Sequence, residues 1–277
     1  MGHGAFPVYL VRGDRSSALV EAGISATADD VCRRLDQSGT APDFIVITHP
    51  HGDHVAGLDA IRVRFPAIRV LAGEGAAAFL SHPRIAEAIV AEDLYLSSCL
   101  ALRGYPGRVP IGKAPSLDGA TICSNGEEVD LGGVTLRLVA VGGHAPGNLV
   151  VFIPEERTLL ASDSLGFHYP GGGVFPVFFT GYGEYMASLA RLESLHPERL
   201  GLGHYCWMEG AEVGEAFALA RRCASVLRER LKAGPSDDKT AVSTIFNEFY
   251  RDELTLYSGE NIRECCRLLL RRSREEG

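Results

Sequence analysis

The run Asp43-Phe-Ile-Val-Ile-Thr48 is apolar throughout its interior, and the six residues that follow it, HPHGDH, hold three histidines and an aspartate. An unbroken apolar run of that length suits a central strand covered on both faces. A sheet with a layer on each side is therefore required, and this narrows the fold more than any other feature. Histidine gains nothing from strand propensity, and Pro50 and Gly52 interrupt regular structure, so His49, His51, Asp53 and His54 mark the point where the chain leaves the sheet.

The neighbouring segments keep the same rhythm. PVYLV and SSALVEAG read as strands around the turn-like RGDR. TADDVCRRLDQSG reads as a helix capped by Thr27 and ending near Gly39, VAGLDAIRVRF as a helix stopped by Pro66, and IRVLAG as the next strand. Residues 74–103 are expected to be mostly helical, followed by an irregular connector, GYPGRVPIGKAP. From Thr121 the pattern turns to hairpins: EEVDLGGVTLRLVAVGG turns at Gly132–Gly133, and NLVVFIPEERTLLASD turns at PEER. RLGLGH is a last short strand ending on a histidine, and residues 211–272 read as about three helices with a break at AGPSDD. Strands alternating with helices imply an α/β fold, a sheet covered by helices. At 277 residues one large core is the simplest reading, with 1–210 as the main domain and 211–277 as an appended helical cap.

Polar residues follow apolar strands at four places: His49/His51/Asp53/His54 after DFIVIT, His144 after LRLVAVGG, Asp163 after RTLLAS and His204 after RLGLG. Open α/β sheets place ligand sites beyond strand ends, so these residues can converge on one rim. His49 and His51 are two apart and point to the same side of an extended segment. Asp53 and His54, at a helix start beyond Gly52, can turn toward a neighbouring point. Imidazoles and carboxylates suit Zn, Fe or Mn, and seven ligands exceed one tetrahedral site but suit two metals. The expected set is His49, His51 and His144 on one divalent ion, Asp53, His54 and His204 on a second, and Asp163 bridging both. Zn is preferred, with Fe or Mn as alternatives.

HPHGDH, GGHAPGN, ASDSLG and GLGH, in this order, resemble the four metal motifs of the metallo-β-lactamase superfamily over roughly residues 6–210. The resemblance implies an αββα sandwich of two β-rich halves with the site at one edge. LVEAG stands where many relatives carry V-D-T-G, so Glu21 replaces an aspartate that commonly supports the ligands from behind. The helical C-terminal extension and the aromatic segment after Asp163 resemble glyoxalase II and the quinolone-signal response thioesterase. The basic residues with which glyoxalase II holds glutathione have no clear counterpart. A lactam-cleaving role is not expected, because true class B enzymes usually carry cysteine where Asp163 stands.

Two ions about 3.5–4 Å apart can hold a bridging hydroxide. The expected activity is hydrolysis of a small thioester, ester or lactone by that hydroxide, with Asp53 orienting the nucleophile and protonating the leaving group. Tyr205, beside His204, is a candidate oxyanion donor or a packing residue. Phe167, Phe175, Phe178, Phe179, Tyr182 and Tyr185 form either an apolar wall for an acyl group or a loop pinned to the core, with glycines 171–173 flexible enough for a lid. His82 and His196 precede prolines and read as structural, His168 as a surface residue in preference to a pocket one, and His3 as a disordered bystander. A mono-iron sulfur dioxygenase and a regulatory protein that retains the site are the alternatives.

The net charge of −8, with no long basic run outside the tail LLLRRSREEG, argues against nucleic acid as a partner. The tail's leucines fall at helical spacing, as in a solvated amphipathic helix. Cys32, Cys99, Cys123, Cys206, Cys223, Cys265 and Cys266 include no C-x-x-C pair, which fits a reduced, cytoplasmic setting. No signal peptide precedes FPVYLV, and no apolar run reaches the ~18 residues of a membrane span. The expected partner is a small-molecule substrate, with no membrane and no nucleic acid, for a monomer or a homodimer.

Overall fold

The computed structural model describes residues 1–234 and 237–275. A short N-terminal ladder pairs β1 (Gly2–His3) with β2 (Phe6–Pro7). His3 is therefore ordered, against expectation: its Nδ1 accepts from the Ala5 N–H at 3.1 Å and its ring stands edge-on to Tyr105.

The first sheet runs in the order β3 (Tyr9–Arg12), β4 (Ser17–Val20), β5 (Phe44–Ile47), β6 (Arg69–Gly73) and β7 (Thr121–Cys123). β3 is antiparallel to β4, and the remaining pairs are parallel. Parallel strands need crossovers, and helices supply them: α1 (Ser25–Gln37), α2 (Gly52–Val55), α3 (Leu58–Arg64), α4 (Ala76–Ser81) and α5 (Pro83–Leu102). The second sheet contains β8 (Glu128–Asp130), β9 (Thr135–Ala140), β10 (Leu149–Ile153) and β11 (Thr158–Ser162). A small hairpin of β12 (Phe167–His168) and β13 (Val174–Phe175) and the helix α6 (Tyr182–Glu193) lead to β14 (Arg199–Leu202), which lies parallel to β11, and β15 (Trp207–Glu209) closes that edge.

Alternate residues of β5 face opposite layers, as the period of two requires. Val46 packs with Ala18, Val20 and Leu71 against Leu136, Leu138, Val151 and Leu160 of the second sheet. Ile45 and Ile47 face Val31 and Leu35 of α1 and Leu58 and Ile61 of α3. The outer face of the second sheet, with Val150, Phe152, Leu159 and Leu200, is covered by Leu189 of α6 and by the C-terminal helices. The layers are thus α, β, β, α, as the sequence implied.

The C-terminal helices are α7 (Ala211–Ala233), α8 (Asp238–Phe249) and α9 (Gly259–Arg274). Asp237 and Ser258 cap α8 and α9 by accepting from the N–H groups of Thr240 and Asn261. α9 buries Ile262, Cys266, Leu269 and Leu270 at helical spacing and carries Arg271, Arg272 and Arg274 in its last turn, where the helix dipole favours cations. Of the expected break AGPSDD, Pro235 and Ser236 lie outside the described residues.

Two local expectations are corrected. Thr27 lies inside α1 and does not cap it: the helix starts at Ser25, whose N–H and hydroxyl donate to the buried Asp93, while the Thr27 hydroxyl donates back to the Ile24 carbonyl. The helix expected over residues 55–65 is interrupted, because the backbone turns there to pair with the end of the first sheet. Ala22 N–H donates to the His54 carbonyl and Gly57 N–H to the Gly23 carbonyl, and a Cβ on Gly57 would sit 2.2 Å from the Ala22 oxygen. No helix of the described residues is long and apolar enough to cross a membrane, and all seven cysteines are free.

Candidate metal centre

The four expected segments meet at one edge of the sandwich. His49, His51, Asp53 and His54 leave the end of β5, His144 follows β9, Asp163 follows β11 and His204 follows β14. Ligand-capable atoms of His49, His51, His144 and Asp163 lie within 4.8 Å of one another, as do those of Asp53, His54 and His204. Asp163 stands between the groups. Its Oδ2 is 3.9 Å from Nε2 of His49, 3.7 Å from that of His144 and 3.5 Å from that of His54, and its Oδ1 is 3.3 Å from Nε2 of His204.

The backbone is bent to achieve this. The β11–β14 register shifts between Leu160 and Ser162, and Ser162 takes a left-handed φ of 50° immediately before Asp163. Such a conformation costs a non-glycine residue energy, and it persists here because Ser162 is buried and hydrogen-bonded to Thr48 at 3.1 Å. Opposite, Gly203 leaves the space that the carboxylate fills: a Cβ there would lie 2.3 Å from Asp163 Oδ1 and 2.8 Å from His54 Cε1.

The Nδ1 side of each of four rings is held from behind. His144 donates to the Val177 carbonyl at 3.0 Å and His204 to the Ala5 carbonyl at 2.6 Å. His49 meets the Thr48 hydroxyl at 3.1 Å, and His54 lies 3.2 Å from Oε2 of Glu21, whose other oxygen accepts from Thr48. Glu21, at the position the resemblance singled out, thus orients a ring turned toward the site. Fixing one ring nitrogen sets the tautomer and aims the other. The Nε2 atoms of His49, His54 and His144 and Oδ1 of Asp163 are buried with no hydrogen-bond partner. Buried polar atoms are almost always paired, so this unpaired, inward-facing set of imidazole and carboxylate donors fits divalent cations.

The electrostatics divide the histidines. Burial lowers the pKa values of His49, His51 and His144, neighbouring imidazoles lower all three further, and His51 is pushed down to about 3. These rings are therefore neutral, the form that ligates. Burial opposes charge on His54 and His204 too, but the carboxylates around them raise both, Glu21 foremost for His54 and Asp163 foremost for His204. Asp53 and Asp163 are held ionised by those same histidines against the cost of burial.

A cavity of about 260 Å³ opens over His51, Asp53, His144, Asp163 and His204. The proposed oxyanion donor Tyr205 does not line it; its φ of 51° turns the chain away from the site after His204, and its ring packs edge-on to Phe167. Tyr257, from the segment leading into α9, stands there instead. Its hydroxyl donates to Asp53 Oδ2 at 2.7 Å and lies 3.4 Å from Nε2 of His204. Sequence reasoning missed it because nothing local marks one tyrosine 204 positions beyond its partner. Burial and the Asp53 charge raise its pKa, so it remains a donor.

The aromatic segment divides. Phe167, Phe175 and Phe179 line the cavity, whereas Phe178 and Tyr185 are fully buried core residues and Tyr182 packs on Phe178. Glycines 171–173 form the turn of the β12–β13 hairpin. His168 is buried, at 4 % exposure, and is not the surface residue expected, because the hairpin folds it inward; it does not line the cavity. His82 and His196 act structurally: His82 supplies the backbone cap of α5, and the His196 carbonyl accepts from Arg157.

Fold and donor set together define a metallohydrolase-type scaffold with a histidine–aspartate metal-binding cluster. Residues 6–204 match the model of the metallo-beta-lactamase superfamily, and the chain belongs to that superfamily. It is 28 % identical over 206 residues to a metallo-beta-lactamase fold-containing protein of Sulfurisphaera tokodaii, covering 71 % of each chain. It is 27 % identical over 234 residues to a hydroxyacylglutathione hydrolase of Acidiphilium cryptum, covering 82 % of this chain and 78 % of that one. Among solved structures, a beta-lactamase domain protein from Burkholderia ambifaria superposes with a TM-score of 0.66 at 19 % identity, over 95 % of this chain and 81 % of that one, and it shares the fold.

Proposed function

We propose that this chain is a dinuclear metal-dependent hydrolase of a small thioester, ester or lactone. The observation that carries the reading is the placement of Asp163, whose two oxygens face His49, His54 and His144 on one side and His204 on the other. His49, His51 and His144 would hold one ion and Asp53, His54 and His204 another, with Asp163 between the two groups. Such a pair, when bound, supplies an activated water and polarises the substrate carbonyl.

The chain's own groups do the rest. Asp53 borders the cavity and is placed to orient the water and to carry its proton to the leaving group. The Tyr257 hydroxyl holds Asp53 Oδ2 and fixes the direction in which that carboxylate acts. The largely apolar walls lower the local dielectric around these hydrogen bonds. The hydroxyacylglutathione hydrolase likeness supports a hydrolytic, thioester-type reaction, at an identity too low to carry over a substrate.

The test is metal content per chain, measured on protein purified without added metal or a histidine tag, followed by a panel of acyl thioesters, esters and lactones. Two equivalents of Zn, Mn or Fe with turnover on the panel are expected. One iron per chain, with oxygen uptake on a sulfur substrate and no hydrolysis, would replace this reading by that of a sulfur dioxygenase.

A further inference from the structure

The walls of the cavity carry a charge pattern that bears on which substrate can enter. Among the described residues that line it there is no lysine and no arginine. Beyond Asp53 and Asp163 of the metal centre, three carboxylates border it, and each is already engaged within the chain. Glu92 accepts from the N–H and hydroxyl of Ser258, Asp93 from Ser25 and the Ile111 N–H, and Glu264 from Arg267. The rest of the wall is largely aliphatic and aromatic, with Phe79 and Ile89 on one side, Val177 and Phe179 on another, and Ile262 and Leu268 of α9 as the roof.

From this lining we infer that the cavity selects a neutral ester, thioester or lactone with a compact apolar acyl or aryl group, and rejects thioesters of anionic carriers such as glutathione. The inference rests on the hydrolase reading and narrows its substrate. In the reaction it describes, the oxygen of water forms the new bond to the acyl carbon, the acyl C–O or C–S bond breaks, and the alcohol or thiol leaves with the proton. The reacting carbonyl has to sit at the floor beside Asp53, so the remainder of the substrate is laid against the walls. An apolar chain gains there by leaving water. An ionised carboxylate or phosphate laid against those walls loses its hydration and finds no lysine or arginine in return. The chain's net charge of −8 adds a long-range field of the same sign. Size points the same way: about 260 Å³ lies just below the ~300–1,000 Å³ usual for ligand pockets, which leaves room for a small group.

Two inert thioethers with the same six-carbon chain test the inference without requiring turnover: hexyl methyl sulfide, which is neutral, and S-hexylglutathione, which is anionic. Calorimetric titration of the full-length, zinc-loaded protein should show the neutral ligand binding at least about tenfold more tightly. Equal or tighter binding of S-hexylglutathione overturns the inference, as does failure of the neutral thioether to bind, whatever the protein hydrolyses. Failure to hydrolyse any ester, thioester or lactone, with the binding preference intact, overturns the hydrolase reading instead. Leu268→Arg places a cation on the roof and should tighten S-hexylglutathione at least about threefold while weakening the neutral ligand. No gain in the folded variant would show that wall charge does not set the preference.

Discussion

Asp163 and Tyr257 represent two kinds of site residue. Asp163 joins both ligand groups, so Asp163→Ala should lower metal content from two equivalents to one or fewer and abolish turnover, checked by elemental analysis and assay of one preparation. Tyr257 touches Asp53 without belonging to either group. Tyr257→Phe removes a hydrogen bond to a charged acceptor, of the kind that contributes about 1.5–3 kcal/mol. It should lower kcat roughly tenfold or more with both metal equivalents retained. His168 should behave as neither. Burial pushes its pKa down to about 4 from 6.5, so the unfolded chain binds its proton more tightly than the folded one. Stability from this group is then complete above pH 6.5 and is lost as pH falls toward 4, by up to about 3 kcal/mol. His168→Gln should leave metal content unchanged and flatten that part of the stability–pH curve, measured by urea unfolding between pH 4 and 7.

At the scale of elements, what the sequence made legible is the set of strand ends. An apolar run followed directly by His or Asp can be recognised without a partner, which is why all seven converging side chains could be named in advance. The start of α1 was not legible, because it depends on Asp93, a residue of α5 that captures Ser25 from 68 positions away. The same limit hid Tyr257. Its place is fixed by Glu92 of α5, which grips Ser258, and by the Tyr250 hydroxyl, which donates to the Tyr257 carbonyl at 2.9 Å. Ser258 both caps α9 and binds Glu92, so Ser258→Ala should cost about 1–2 kcal/mol of stability in chemical denaturation. It should also weaken catalysis through Tyr257, and Glu92→Gln should reproduce part of the catalytic loss without the loss of the cap.

For the whole molecule, the metal centre joins segments from both halves of the sandwich, so ions bound there stabilise the native chain as a unit. Ligand present at 100 times its dissociation constant adds about 2.7 kcal/mol per site. Removing metal with a chelator should therefore lower Tm by several degrees, and restoring zinc should reverse the loss, read by calorimetry. The connection between Asp53 and Tyr257 also has a consequence in time. During synthesis every donor up to His204 leaves the ribosome before Tyr257 and α9 do. Until Tyr257 follows, Asp53 lacks the hydroxyl that holds it. Tyr257 and α9 then add the roof and the hydroxyl on which Asp53 rests.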